Sequence, residues 1–537
     1  MERTATASMA MALSAILAVF FILRYMLSPS GRKKAMNLPP GPRGLPVIGS
    51  LGVLASSLPP HRALAALASR HGELMHLRLG SHHTVVASSA ATARLVLKTH
   101  DLALADRPPT TAGETMSYGY LGIVHTPYGA YWRMARKLCA TELFSARRVA
   151  SFERVRAQEM RALARGLFER AVDGGGAAAV AVREHVAGAT LRNILRMTVG
   201  EKWSGCYGSA DGEAFRRTLD EAFAASGAVS NVGEWVPWLG WLDLQGCRRR
   251  MKRLGEIYDR FYEKILDEHE ERRRAAAAAG ELAVASDLVD VLLQLAEECV
   301  SEPSSEARLT RDGVKAFIQD IIAGGTESSA VTIEWAMSEL LRRPDAMAAA
   351  AAELDRVVGR ERWVTERDLL GLPYIDAVVK ETLRLHPVGP LLVPHHAREH
   401  TVVAGYDVPA GARVLVNVWA IARDPASWPD APGEFRPERF LAAGGGGGGG
   451  VDVRGAHFEL LPFGAGRRIC PAVDLAMKLV AAGVANLVQG FAWRLPEGVK
   501  PEDVSMEEHV GLSTKRKVPL VAVAEPRLHA HLYDATE

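Results

Sequence analysis

One turn constrains this chain more than any other stretch: Phe463-Gly464-Ala465-Gly466-Arg467-Arg468-Ile469-Cys470. It continues through Pro471 and Ala472 into an apolar segment that reads as a helix from Val473 onward. Its two glycines permit backbone conformations that residues with a Cβ rarely adopt, so the turn can be tight and its N–H groups can converge. The cysteine therefore sits among backbone donors, beside two arginines and ahead of the positive end of a helix. These conditions favour a thiolate over a thiol. Phe463 can cover the sulfur, Gly466 keeps the turn free of a side chain, and Arg468 can reach an anionic group bidentately.

The rest of the chain is globular in character. Over 537 residues, 48% are hydrophobic and 23% charged, far from the balance of a disordered chain. A formal net charge of +2 gives no reason to expect nucleic acid as a partner. The five cysteines (Cys139, Cys206, Cys247, Cys299 and Cys470) are scattered, with no CxxC pair or zinc spacing. That pattern argues against a disulfide framework or a zinc site and fits a reducing compartment.

Residues 7–27 are nearly all apolar, with Arg24 the one charge among them. About twenty helical residues at ~1.5 Å each cross a ~30 Å hydrocarbon core. Arg32, Lys33 and Lys34 follow, so the positive-inside bias places the remainder in the cytosol. Residues 1–30 are thus expected to be a single-span anchor, with a cleaved signal peptide as the alternative. Residues 31–50 form a basic, Pro-rich hinge, 51–526 the body and 527–537 a C-terminal tail. The Pro-rich run Leu38–Pro46 reads as a stiff connector, or alternatively as an ordinary loop.

Leu74–Ser88 reads as a hairpin about Gly80. The spacing from Ala90 to about Asp376 is mostly helical. Gly174–Gly176 and the Ala275–Ala279 run with Gly280 read as solvent loops, and Gly444–Gly450 as an exposed loop. Strand character returns over Thr401–Val418. The fold class expected is mainly α with a minor β part.

Two further stretches carry chemistry. A helical run from about Asp312 to Leu341 contains Gly324-Gly325-Thr326-Glu327-Ser328-Ser329. Adjacent mid-helix glycines cost roughly 1 kcal/mol each against alanine. A helix that accepts this needs room near its backbone, or a kink. The neighbouring acid and hydroxyl are the parts of a proton relay. In Lys380-Glu381-Thr382-Leu383-Arg384, Glu381 and Arg384 share one helix face at i and i+3.

The Cys470 turn resembles the haem-binding signature of the cytochrome P450 family: Phe, two residues, Gly, one residue, Arg, one residue, Cys, one residue, Gly. Every position matches except the last, where Ala472 stands for glycine. The resemblance extends over nearly the whole chain and is similar to the plant A-type microsomal group, which includes flavonoid 3′-hydroxylase-like proteins and homoterpene synthases. It implies a cytochrome P450 fold behind the membrane helix, with Cys470 as axial ligand of a haem b iron. It implies Glu327 and Ser328 as the acid-alcohol pair on the oxygen side, with Thr326 and Ser329 able to share that role. It implies a structural network of Glu381, Arg384 and Arg439, the last from Phe435–Phe440. It also places Trp132, Arg136 and His395 beside the cofactor with Phe463, Gly466 and Arg468; a surface pair of His395 with His396 is the alternative. Substrate contacts are expected from Thr111–Thr126, Phe317, Asp320, Ile321, Leu391–Val393 and Val510–Ser513.

The activity implied is oxidation of a small lipophilic plant metabolite, a terpenoid or flavonoid, by hydroxylation or cleavage. It uses O₂ and NADPH electrons delivered by cytochrome P450 reductase, with cytochrome b5 as an additional partner, at the endoplasmic reticulum membrane. The alternative is a haem-thiolate isomerase or dehydratase that needs neither O₂ nor reductase.

Overall fold

The structure is a computed structural model and describes residues 36–204, 217–219, 221–222, 231–280, 285–301, 307–441 and 450–534. The proposed span at 7–27, its basic flank and glycines 444–449 lie outside the described residues.

A 32-residue helix, Arg311–Arg342, runs through the middle of the body. Thr310 caps it, its hydroxyl accepting the Gly313 N–H and so satisfying one orphan donor of the first turn. The helix is buried along most of its length because its two halves serve different apolar clusters. Its first half packs with Cys247–Ala278 and Leu288–Ser301. The second half packs with Glu153–Asp173, Pro373–Leu385 and Val473–Gly490. Gly325 allows Val182–Val199 to approach, since a Cβ there would lie 2.6 Å from Ile194 Cδ1. Gly324 faces open space. The glycine pair therefore gives both close packing and room, and the helix continues unbroken through it.

The β part is small. The main sheet orders Leu74–Leu79, His82–Ala87, Arg413–Val416 and His395–His396, with antiparallel, parallel and antiparallel pairings in turn. The hairpin turns at Gly80, where φ is +59°. Glu508–Val510 and Thr514–Arg516 form a second hairpin against the central helix. The mainly helical expectation with minor strands is met.

Three sequence readings change. Ala275–Ala278 belongs to the end of the helix Cys247–Ala278, because alanine is the best helix former and the chain leaves αR only at Gly280, φ +72°. Leu38–Pro46 lies on the body: the Pro40 carbonyl accepts the His76 N–H, and Gly41 is pressed against the His76 backbone. The body also continues past 526, since Ala530–Asp534 is helical and Tyr533 is buried against Phe168 and Trp363. Val473–Gly490 is apolar and long enough to cross a membrane, but it is a core helix.

Candidate active site

The Cys470 turn takes the form its glycines dictate. Gly464 and Gly466 adopt φ +73° and +67°, and a Cβ on Gly466 would strike the Leu97 carbonyl. The Cys470 N–H donates to the Phe463 carbonyl at 2.9 Å, closing the turn. Asp101 accepts the Arg467 N–H at 3.0 Å and Arg467 Nη1 at 2.9 Å, tying the turn to the segment before it. Ala472 adopts φ −109°, which any residue tolerates, so the departure from glycine carries no backbone strain. The expected fall in the thiol pKa is not met by protein groups alone. Burial outweighs the Ala472 N–H and the Arg136 charge and pushes the Cys470 thiol above its ordinary value. A coordinating metal ion would remove the thiol proton outright.

Around this turn gather three half-buried cations, two of them with Asp106 near enough to act on them. Arg136 Nη1 donates to the Ile469 carbonyl at 2.6 Å. Arg468 donates to the carbonyls of Ala105 and Thr126 at 2.7 and 2.6 Å and lies over the Trp132 ring. Arg107 donates to the carbonyls of Val124, Val393 and Pro394. None of the three forms an ion pair among the described residues. Burial and mutual repulsion depress Arg107 to about 9 and Arg468 to about 10, and burial also lowers Arg136. Arg468 Nη1 is buried without a partner.

Such a cluster is costly unless it meets anions. The two propionates of a haem are that chemistry, so the residues present fit the group. His395 is buried rather than paired on the surface, and its Nδ1–H donates to the Leu104 carbonyl at 3.0 Å. Burial and Arg107 lower it to about 3, so on protein groups alone it is neutral. Its Nε2 can donate to a carboxylate only once an anion draws it into the imidazolium form.

Behind the turn, Glu381, Arg384 and Arg439 are all fully buried. Arg384 grips Glu381 bidentately at 2.7 and 2.8 Å, and Arg439 Nε donates to the same carboxylate at 2.9 Å. Their remaining N–H groups hold the carbonyls of Ala422, Asp430, Ala431, Pro432 and Glu434. The network thus clamps residues 422–440, the stretch leading toward the cysteine turn.

On the central helix, Ser328 Oγ donates to the Gly324 carbonyl at 2.7 Å, and Thr326 Oγ1, buried, to Ile322. Glu327 points elsewhere, to Ser513 and Lys515 of the second hairpin. The acid and the alcohol are neighbours in sequence with separate partners.

Of the segments expected to contact substrate, the central helix and the loop 117–126 are tied together. Asp320 Oδ2 accepts the Val124 N–H at 3.0 Å and is also bonded by Ile123 N–H, so it clamps the loop 117–126. Burial raises its carboxyl to about 7. Phe317 is enclosed in the apolar cluster of the first half-helix, while Leu392 lies beside Gly464. Arg107 and the Asp320 clamp escaped the sequence reading; the signal available for Arg107 was a cation fixed ahead of Pro108 and Pro109. Among the described residues, His269 with Asp287 and Asp290 also has metal-ligand geometry. Its atoms are already satisfied by one another, Ile265, Ser286 and Arg272.

A family profile described as Cytochrome P450 matches residues 39–521. The chain is 80% identical over 532 residues to a trimethyltridecatetraene synthase of Zea mays, covering 98% of this chain and 95% of the relative. It is 41% identical over 515 residues to a flavonoid 3′-monooxygenase of Arabidopsis thaliana, covering 96% of each. A zebrafish cytochrome P450 structure with progesterone superposes at TM-score 0.70 and 26% identity, over 88% of this chain and 100% of that one. Taken with the thiol turn and its cluster of arginines outside any ion pair, these matches show that the chain belongs to the cytochrome P450 family, the haem monooxygenases fed with NADPH electrons through a reductase.

Proposed function

We propose that this chain oxidises an acyclic terpenoid, cleaving it to a shorter polyene, with flavonoid hydroxylation as the second reading. The observation that carries this is the identity gradient. Identity is 80% and 78% to maize proteins named for acyclic polyene products, but 41% to flavonoid 3′-monooxygenases. Bound haem supplies the redox chemistry by which O₂ is split with two electrons from NADPH.

The chain's own residues do the rest. Cys470, in the turn fixed by Gly464, Gly466 and the Glu381 network, would hold the haem iron through its sulfur. Arg107, Arg136, Arg468, Trp132 and His395 would hold the haem's propionate side. Glu327 and Ser328 move protons toward the oxygen-binding side, and Asp320 holds the loop that walls the substrate. The apolar span 7–27 anchors the chain in the endoplasmic reticulum membrane. Exposed Leu45, Val47, Trp241 and Leu244 on the body favour the same surface. The electron donor is the reductase, with cytochrome b5 as a further partner.

The test is turnover in reductase-containing membranes with acyclic terpenoids and flavonoids in parallel, with and without NADPH and O₂. NADPH- and O₂-dependent formation of a shortened polyene is expected. Flavonoid products alone would favour the second reading, and turnover without NADPH or O₂ an isomerase.

A further inference from the structure

We propose that Lys515 and Ser513 are positioning residues for proton delivery, holding the Glu327 carboxylate at the solvent-side turn from which it takes protons. The inference rests on the reading of Glu327 as a proton carrier. Lys515 Nζ donates to Glu327 Oε1 at 2.8 Å and Ser513 Oγ to Oε2 at 2.5 Å, so both carboxylate oxygens are held by the one hairpin. The other acids on the buried part of the helix are committed elsewhere: Asp320 to loop 117–126, Glu334 to Arg183, and Glu339 to His386. Glu327 is thus the acid beside the glycine pair whose partners come from the hairpin.

The hairpin is itself pinned. The Thr514 carbonyl accepts Trp335 Nε1–H at 3.2 Å, and the Thr514 N–H donates to the Val388 carbonyl at 2.9 Å. Lys515 is therefore delivered to Glu327 by a fixed strand, not by a wandering side chain. A half-exposed pair of this kind contributes little to stability. The Lys515 side chain is 33% exposed and that of Glu327 18%, which puts the carboxylate at the boundary between water and the interior. Ser328 Oγ, by contrast, is bonded inside the helix to Gly324. A proton arriving from water at the Lys515 edge is accepted by the oriented Glu327 side chain. It passes inward when the carboxyl leaves the hairpin for the Ser328 side. Ser513 lies on the turn expected to contact substrate, so the hold and the substrate wall are the same element.

The experiment uses the full-length holoenzyme with reductase and compares Lys515→Met, Lys515→Arg, Glu327→Gln and the double variant Lys515→Met/Glu327→Gln. Lys515→Met is expected to lower kcat roughly five- to tenfold, a share of the effect of a positioned proton carrier. It should raise the fraction of NADPH electrons that leave as hydrogen peroxide, where O₂ takes two electrons and two protons. It should also enlarge the solvent deuterium isotope effect, while the substrate-induced spectral shift keeps its Kd. Lys515→Arg should restore most of the loss, and the double variant should be no worse than Glu327→Gln.

An unimpaired Lys515→Met beside an impaired Glu327→Gln overturns the proposal and leaves the proton role of Glu327 standing. Additive losses in the double variant, or a weakened substrate Kd, also overturn it. An unimpaired Glu327→Gln removes the reading on which the proposal rests.

Discussion

Replacing Glu381 by Gln changes one oxygen for an amide and leaves the volume nearly constant, so its effect is electrostatic. The carboxylate accepts four N–H groups: two from Arg384, one from Arg439 and the backbone N–H of Arg436. Glutamine offers one acceptor oxygen, and its NH₂ then faces guanidinium donors. Two fully buried arginines, both beside the Trp428 ring, lose the counter-charge they share. Breaking a buried pair by removing one partner typically costs about 3–5 kcal/mol. The expected outcome is a drop of that size in unfolding free energy by denaturant titration, with loss of the thiolate-type reduced CO spectrum at lower denaturant than in the wild type. Arg439→Lys, which keeps the charge but not the fork, should fall between the two. A Glu381→Gln protein within about 0.5 kcal/mol of wild type, the range of an ordinary surface change, would refute the reasoning.

Two more predictions concern the site. Asp320 has a folded-state carboxyl raised to about 7 against 3.8 when free. The folded chain therefore holds a proton that the unfolded chain has lost between those values. The contribution is complete below about 4 and declines as pH rises to about 7, at up to ~1.4 kcal/mol per pH unit. Melting at pH 5 and pH 7 should show the wild type losing ground to Asp320→Asn across that interval; parallel slopes would contradict it. In the cysteine turn, Gly466→Ala meets both a positive φ and the Leu97 carbonyl, and should cut the haem-to-protein ratio sharply. Ala472→Gly, at an unstrained φ, should leave that ratio unchanged.

The parts legible in the sequence were those whose chemistry is local. The cysteine turn needs its glycines at fixed offsets, and Glu381 and Arg384 meet across one helical turn. The central helix shows its cap at Thr310 and its glycines at 324 and 325. Arg439 was legible only through resemblance, because 58 residues separate it from Glu381. Arg107, 286 residues from the Val393 carbonyl it holds, leaves no periodic trace. Asp320 was legible only as an expected substrate contact, because its clamp on backbone N–H groups leaves no residue-type signature in the partner loop. The Ala275–Ala279 run was misread because alanine-rich low complexity was weighed as a loop, although alanine has the highest helix propensity.

The central claim is that Cys470 binds the haem iron as thiolate, and the reduced, CO-bound absorption spectrum of the purified holoenzyme tests it most directly. The account predicts a red-shifted thiolate-type Soret band in the wild type that is absent from Cys470→Ala. A histidine-type spectrum in the wild type, or a thiolate-type band that survives Cys470→Ala, would contradict it.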